Sequence, residues 1–157
     1  MPARRATSCM VIRASTEIAA TSEQVFAFIT DDSRLKAWQP DVVESYPPAG
    51  GLRVGARPRA IVEEYGRRFE VELLILEFEP NQRIVYQMEA PTASGRVEYH
   101  LTRAGQRTRL DQLVTIRPKG IMWLLGPFIV GMVRRKMASR LGLLRDVIEG
   151  KTQPGVP

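Results

Sequence analysis

The chain has 157 residues, with 23 Lys and Arg against 17 Asp and Glu and a net charge of +6. This length predicts a single domain over residues 1–157, with a core over about 10–150 and short flexible termini. Cys9 is the only cysteine, which excludes an intrachain disulfide framework and favours a reducing, cytoplasmic setting. No apolar segment follows Arg4 and Arg5, so no signal peptide is expected.

The first elements are a strand and two short helices. Residues 10–18 alternate between apolar and polar types, which predicts a half-buried strand. Thr21 with Gln24 three residues later forms a capping-box pattern and predicts the start of a helix. A second short helix carries Trp38 and ends before Pro40.

A strand at residues 42–46 is followed by an antiparallel meander whose turns fall at residues 65–66, 79–82, 91–95 and 104–107. The turn positions set the registers of four hairpins, and all four give one consistent inner face. The pairs expected on that face are Val62 with Phe69, Ala60 with Val71, Leu73 with Met88, Ile75 with Tyr86, Tyr86 with Tyr99, Met88 with Val97, Tyr99 with Gln112, and Val97 with Val114.

Three polar side chains, Tyr86, Tyr99 and Gln112, form a row across this otherwise apolar face. Buried polar groups need hydrogen-bond partners, which come from one another, from water or from a ligand. The row therefore indicates either a self-satisfied polar belt in a solid core or the wall of a binding site.

The outer face of the predicted sheet also has an anomaly, because four large apolar residues fall on it together. Either a β-bulge shifts the alternation or a partner chain covers the patch in a homodimer. The residues of this patch are Leu74, Leu76, Phe78 and Val85.

A long C-terminal helix is predicted from Pro127, which suits a first helical turn, to Gly150, which suits a helix end. Residues 121–133 are nearly all apolar but too few to span a bilayer, so we expect them to be buried. The stripe expected to face the sheet comprises Val130, Val133, Met137, Leu141, Leu144 and Ile148.

The positive charge is interpreted first as a contribution to solubility. Arg134, Arg135 and Lys136 are expected on the solvent side of the amphipathic helix, with weak contact to an anionic membrane surface or a charged ligand group as the alternative. No nucleic-acid partner is expected, because the basic residues are not interleaved with exposed aromatic residues.

His100 is the only histidine, and the registers place it opposite Asp111 on the outer face. We interpret this pair as a surface ion pair, with a catalytic His–Asp dyad as the less favoured alternative. One histidine, one cysteine and scattered carboxylates do not make a metal site, so neither a metal nor another cofactor is expected.

The order of elements, together with the segments at residues 19–26, 35–40, 54–56 and 78–80, resembles the SRPBCC superfamily. It is most similar to the polyketide cyclase/dehydrase and lipid-transport branch, whose relatives include the START domains. The resemblance implies an α+β helix-grip fold: a seven-stranded antiparallel sheet wraps a long C-terminal helix, with two short helices between strands 1 and 2 and a deep cavity inside. Such a fold does not by itself select a function.

The leading hypothesis is that a hydrophobic small molecule of lipid, polyketide or aromatic type binds between the sheet and the helix. A second hypothesis is a cofactor-free cyclase or dehydratase that uses a tyrosine or Glu77 as proton shuttle, and a third is an interaction module with a filled core; whether the chain is an enzyme stays open. The residues expected to line the cavity are Trp38, Val62, Phe69, Val71, Leu73, Ile75, Tyr86, Met88, Val97, Tyr99, Gln112, Val114, Val130, Val133 and Met137.

Overall fold

The computed structural model describes residues 9–151. Seven strands form one antiparallel sheet in the order β1-β7-β6-β5-β4-β3-β2. The elements are, in chain order, β1 (Met10–Ile18), α1 (Ser22–Ile29), a 3-10 helix (Asp32–Arg34), α2 (Leu35–Trp38), β2 (Val42–Tyr46), β3 (Arg59–Glu64), β4 (Arg67–Glu79), β5 (Arg83–Glu89), β6 (Ala93–Ala104), β7 (Arg107–Pro118), a second 3-10 helix (Gly120–Leu125) and α3 (Gly126–Ile148). This confirms the predicted helix-grip arrangement.

The start of α1 follows from its capping residues. The backbone N–H of Gln24 donates to Thr21 Oγ1 over 3.2 Å, and the backbone N–H of Thr21 donates to Gln24 Oε1 over 3.0 Å. This reciprocal pair satisfies two backbone donors that the first helical turn leaves free, so the predicted capping box is confirmed.

The hairpin registers are confirmed for β3–β4, for β6–β7 and for the paired residues 73–75 of β4. The β5–β6 register is wrong by two residues, because Tyr86 pairs with Val97 and Tyr99 pairs with Ile84. The cause is a tighter turn than expected, closed by a hydrogen bond of 2.9 Å from the N–H of Ala90 to the carbonyl of Ala93. A shift of two residues keeps every side chain on its predicted face.

A β-bulge interrupts β4 between Ile75 and Glu77. Beyond it Phe78 turns toward the core, where its ring lies 5.6 Å from that of Phe26, and Val85 is 0% exposed. The bulge therefore removes Phe78 from the predicted outer patch of Leu74, Leu76, Phe78 and Val85, in which Leu74 and Leu76 are half-buried. A homodimer through this patch stays a prediction.

The C-terminal half of α3 closes one end of the molecule. Leu141 and Leu144 are buried in the main core cluster with Ile18, Ile84 and Leu110. The buried stripe differs from the prediction at its two ends, because α3 buries Ile129 and Val147 more fully than the neighbouring residues Val130 and Ile148.

The burial predicted for residues 121–133 is wrong for most of them. The 3-10 helix Gly120–Leu125 has no buried residue, and Phe128 at the start of α3 is 80% exposed. Within residues 9–151, no helix is both long enough and apolar enough to cross a membrane. Several large apolar side chains of this segment lie on the surface of the described chain, whereas Ile129 is buried.

Gly95 permits the close approach of β6 to β7. A Cβ atom at this position would lie 2.2 Å from the backbone oxygen of Thr115, whereas one at Gly142 in α3 would meet no atom within 4 Å.

We expect Gly95→Ala to lower the free energy of unfolding by about 2 kcal/mol, because the backbone of β6 or β7 must move to accommodate the added methyl group. Gly142→Ala is the matched control and should raise it by about 0.5–1 kcal/mol. Chemical denaturation measures both, and equal effects would contradict the close approach at Gly95.

Candidate ligand cavity

A cavity of about 960 Å³ lies between the inner face of the sheet and α3, with α2 and the loop after β2 completing its wall. Most of its lining is aliphatic or aromatic. Several lining residues are also exposed to solvent. They include Tyr65 in the β3–β4 turn and Met132 on α3, which form part of the rim, and Asp32, Pro47 and Gly51. A space of this size accommodates a ligand of several hundred daltons.

Ile75 and Val130 are the two predicted lining residues that do not reach this space. Ile75 is 1% exposed within the sheet, and Val130 packs beside the cluster that contains Ile12 and Met137. The predicted residues that do line the cavity are Trp38, Val62, Phe69, Val71, Leu73, Tyr86, Met88, Val97, Tyr99, Gln112, Val114, Val133 and Met137.

The side chains of the polar row, Tyr86, Tyr99 and Gln112, satisfy only part of one another's hydrogen-bonding capacity. Gln112 Nε2 donates to the hydroxyl of Tyr99 over 3.1 Å, and the Trp38 ring meets the Tyr99 ring edge-on with centroids 6.1 Å apart. Burial raises the pKa of Tyr99 to about 12, although the charge of Arg140 opposes the rise. Burial likewise raises the pKa of Tyr86. Both are neutral phenols at neutral pH and cannot act there as tyrosinate bases.

Three lining residues carry a buried polar atom with no hydrogen-bond partner among residues 9–151. These atoms are the donors Trp38 Nε1 and Arg140 Nε and the acceptor Gln112 Oε1. An unsatisfied buried donor or acceptor costs about 1–3 kcal/mol. The three residues come from α2, α3 and β7, so each of these elements contributes one polar side chain to the lining.

A charged cluster that the sequence analysis did not find also lines the cavity. Lys136 Nζ lies 2.9 Å from the carboxylate of Asp41 and also contacts Glu64. The guanidinium of Arg140 pairs with the same Asp41 carboxylate. This cluster joins α3 to the loop after α2 and to the end of β3.

The cluster changes the ionisation of its members. Burial alone would raise the pKa of Asp41, but the charges and hydrogen bonds of Arg140 and Lys136 outweigh it and hold that pKa below its usual value. Burial and the neighbouring Arg140 lower the pKa of Lys136, against the opposing effect of Asp41. Asp41 is therefore firmly ionised at neutral pH.

The spacing of Lys136 and Arg140 along α3 was the sequence signal that could have placed them at the cavity. Lys136 and Arg140 are four residues apart, and each lies three residues after the lining residues Val133 and Met137, so the two pairs occupy adjacent faces of α3. The expectation that Lys136 lies on the solvent side of the helix is thus wrong. Arg134 and Arg135 are exposed, as expected.

The opposite face of the sheet carries a separate ionic network. His100 pairs with Asp111 in the strand register, but its Nε2 contacts Glu98 at 3.3 Å. Glu77 contacts Arg83 at 3.0 Å in the same network and does not line the cavity. The hypothesis of Glu77 as a cavity proton shuttle is therefore wrong, and the bulge before it is the reason. Within residues 9–151, no three His, Cys, Asp or Glu side chains converge to hold a metal ion.

Residues 10–149 match the sequence model of the family described as "Polyketide cyclase / dehydrase and lipid transport". The chain belongs to this family. No functionally curated protein matches the sequence. Membership of the polyketide cyclase/dehydrase and lipid-transport family agrees with the open cavity and with the sheet-and-helix architecture.

Several solved structures share the fold of this family member. A START superfamily protein from Mycobacterium smegmatis aligns with a TM-score of 0.76 and 16% identity over 90% of this chain and 99% of that chain. The Zhui aromatase/cyclase from Streptomyces sp. R1128 aligns with a TM-score of 0.76 and 14% identity over 90% and 94%. The Aha1 dimer from Colwellia psychrerythraea aligns with a TM-score of 0.67 and 16% identity over 91% and 98%. At these identities the likeness shows the fold alone.

The charged cluster gives a pH-dependent prediction. We expect Asp41→Asn to lower the free energy of unfolding by about 2 kcal/mol at pH 7, because Lys136 and Arg140 lose their shared, partly buried anion. Since the folded-state pKa of Asp41 is lowered, its contribution is complete above its unfolded-state pKa near 4 and is lost as pH falls through the folded-state value. The difference between wild type and variant should therefore shrink toward pH 3 in denaturation experiments.

Asp111→Asn is the matched control for this prediction. Its partner Arg109 lies 3.0 Å away in an exposed pair, so we expect a change within about 1 kcal/mol. Equal losses for the two variants at pH 7 would contradict the role given to Asp41.

Proposed function

We propose that this protein binds a hydrophobic small molecule of lipid, polyketide or aromatic type in the cavity between the sheet and α3. The observation that carries the proposal is a mostly apolar cavity of 960 Å³ whose lining also includes the polar side chains of Tyr86, Tyr99 and Gln112. A solid interior would have no such space. The volume lies in the range of small-molecule sites, which argues against the filled-core interaction module.

The polar side chains of the lining indicate the chemistry of the ligand. Trp38 and Arg140 carry N–H donors, whereas Gln112 can both donate and accept a hydrogen bond. The neutral Tyr86 and Tyr99 hydroxyls complete a polar end within an apolar enclosure. The ligand is therefore amphipathic, with an oxygen-bearing group directed at this end and a larger apolar part against the aliphatic wall.

A cofactor-free cyclase or dehydratase acting in the same cavity is the second candidate. The observation in its favour is that ionisable side chains line the space beside the polar row, with Lys136 and Asp41 in contact. The pKa of Lys136 is lowered, which makes it a better proton acceptor than an ordinary lysine. Conversion of the recovered ligand into a cyclised or dehydrated product would favour this candidate over simple binding.

Filling the cavity tests the binding proposal. We expect native mass spectrometry of protein purified from its own host to show a discrete added mass, and Val97→Trp to abolish it, because the indole would occupy space that Val97 now borders. Val54→Trp is the control and should keep the added mass, since Val54 is exposed and does not line the cavity. A folded Val97→Trp protein that retains the full added mass would overturn the assignment of this cavity.

Removing polar atoms tests how the ligand is oriented. Gln112→Met keeps the side-chain length, so we expect the free energy of unfolding to change by less than about 1 kcal/mol while affinity for the recovered ligand falls about tenfold. Gln87→Met, on the exposed outer face of β5, should change neither quantity. Calorimetric titration measures the affinity, and unchanged binding by Gln112→Met would exclude Gln112 from the site.

A further inference from the structure

A continuous segment of large apolar side chains lies exposed where the last strand leads into α3. Trp123 is 66% exposed, Ile121 is 75% exposed, and Phe128 is exposed still further. Six such residues within twelve consecutive positions far exceed the scattered apolar residues of an ordinary surface. We call this segment the docking surface, and it comprises Ile121, Trp123, Leu124, Leu125, Phe128 and Met132.

The docking surface lies at part of the cavity rim. Its member Met132 lines the cavity, as do Met122 and Ile129 from the same stretch of chain. The hydroxyl of Tyr65, which is itself highly exposed, reaches Met132 Sδ at 3.2 Å from the β3–β4 turn. Whatever covers the docking surface therefore also covers this part of the cavity rim.

The stretch of sequence that contains the docking surface is also rich in positive charge. Residues 112–145 contain seven Lys and Arg residues and no Asp or Glu, which leaves sixteen basic and seventeen acidic residues in the rest of the chain. Arg135 forms no ion pair within residues 9–151, whereas Lys119 pairs with Glu89, and Lys136 and Arg140 pair with Asp41. Arg134 is also unpaired there, but it lies beside β1. The guanidinium of Arg135 extends back to within 3.9 Å of a Cβ built at Gly131, toward the docking surface.

We propose that the docking surface inserts into the interface of a lipid membrane that contains anionic lipids. Aromatic and aliphatic side chains flanked by unpaired arginines are the combination that such an interface binds, through apolar burial and attraction to anionic headgroups. A symmetric dimer through the same surface fits less well, because a twofold axis would place the unpaired Arg134 and Arg135 of each copy near those of the other. The anionic surface neutralises this charge, whereas a second copy doubles it.

Docking has a consequence for this part of the cavity rim. Contact with the membrane removes water from the rim beside Met132, so that an apolar molecule passes between bilayer and cavity without crossing bulk water. This consequence rests on the proposed function. The docking itself does not, since it requires only the exposed surface and its charge.

Flotation with lipid vesicles tests the inference without any cavity ligand. We expect the full chain to float with vesicles of phosphatidylcholine and phosphatidylglycerol and to bind pure phosphatidylcholine vesicles about tenfold more weakly. Binding should shift the emission of the exposed Trp123 to shorter wavelength, while the buried Trp38 contributes a constant background. Trp123→Ser combined with Phe128→Ser should lower binding at least about tenfold, whereas Trp123→Phe combined with Phe128→Leu should retain it.

A charge-reversal pair tests the electrostatic part. Arg134→Glu combined with Arg135→Glu should lower binding to the anionic vesicles about tenfold or more. Arg103→Glu combined with Arg109→Glu changes the net charge equally at the other end of the β6–β7 hairpin and should have a much smaller effect. Wild-type protein that stays unbound to anionic vesicles overturns the inference. So does a dimer, detected by light scattering, that the serine variant dissociates, because the surface would then belong to a second copy of the chain.

Discussion

The packing of the C-terminal half of α3 against the sheet is the constraint on which the rest of the molecule depends. Leu141 and Leu144 are fully buried among residues of β1, β5 and β7, which anchors the helix at one end of the sheet. Toward its N-terminus the helix still packs on β1 and β7 through Val130 and Met137, and the cavity lies between another face of the helix and the inner face of the sheet. Because α3 rises about 1.5 Å per residue, Ile129 and Arg140 are about 17 Å apart along its axis. Along its length, α3 thus contributes side chains to the core, to the cavity wall and to the exposed surface.

The polar side chains of the cavity wall are costly to bury. Gln112 gives its amide N–H to Tyr99 but leaves its carbonyl oxygen unpartnered, and the Trp38 indole N–H is buried without an acceptor in the described chain. A core selected for stability alone would replace these groups with aliphatic side chains of similar size. Asp41 and Glu64 prevent a larger cost by pairing with the two cations on α3, so no isolated ion faces the apolar wall.

The sequence predicts the structure correctly where local patterns determine it. It fails where the exact conformation of a loop, or contacts between residues far apart in the chain, determine it. Alternation and turn positions predicted the inner face correctly, including Tyr99 opposite Gln112. The tight turn at Ala90 shifted one register by two residues, which no periodicity reveals because the faces are unchanged. The charged cluster was missed because Asp41 lies far from α3 in the chain, and only the fold brings it to Lys136 and Arg140. The exposure of Phe128 was not predicted, because an apolar run in the sequence is the same whether or not other parts of the protein cover it.

The cavity has an inner end and a rim, and α3 borders both. The most buried polar groups, Tyr99 and Gln112, lie at the inner end, near the core formed by Leu141 and Leu144, whereas Ile129 and Met132 border the rim. In the proposed binding mode the oxygen-bearing end of the ligand lies at this inner end and its apolar part lies toward the rim. In water this orientation would expose apolar surface at the rim, which is unfavourable. In the proposed docked state the bilayer would cover that surface. The polar inner wall and the exposed apolar rim are thus two parts of one arrangement.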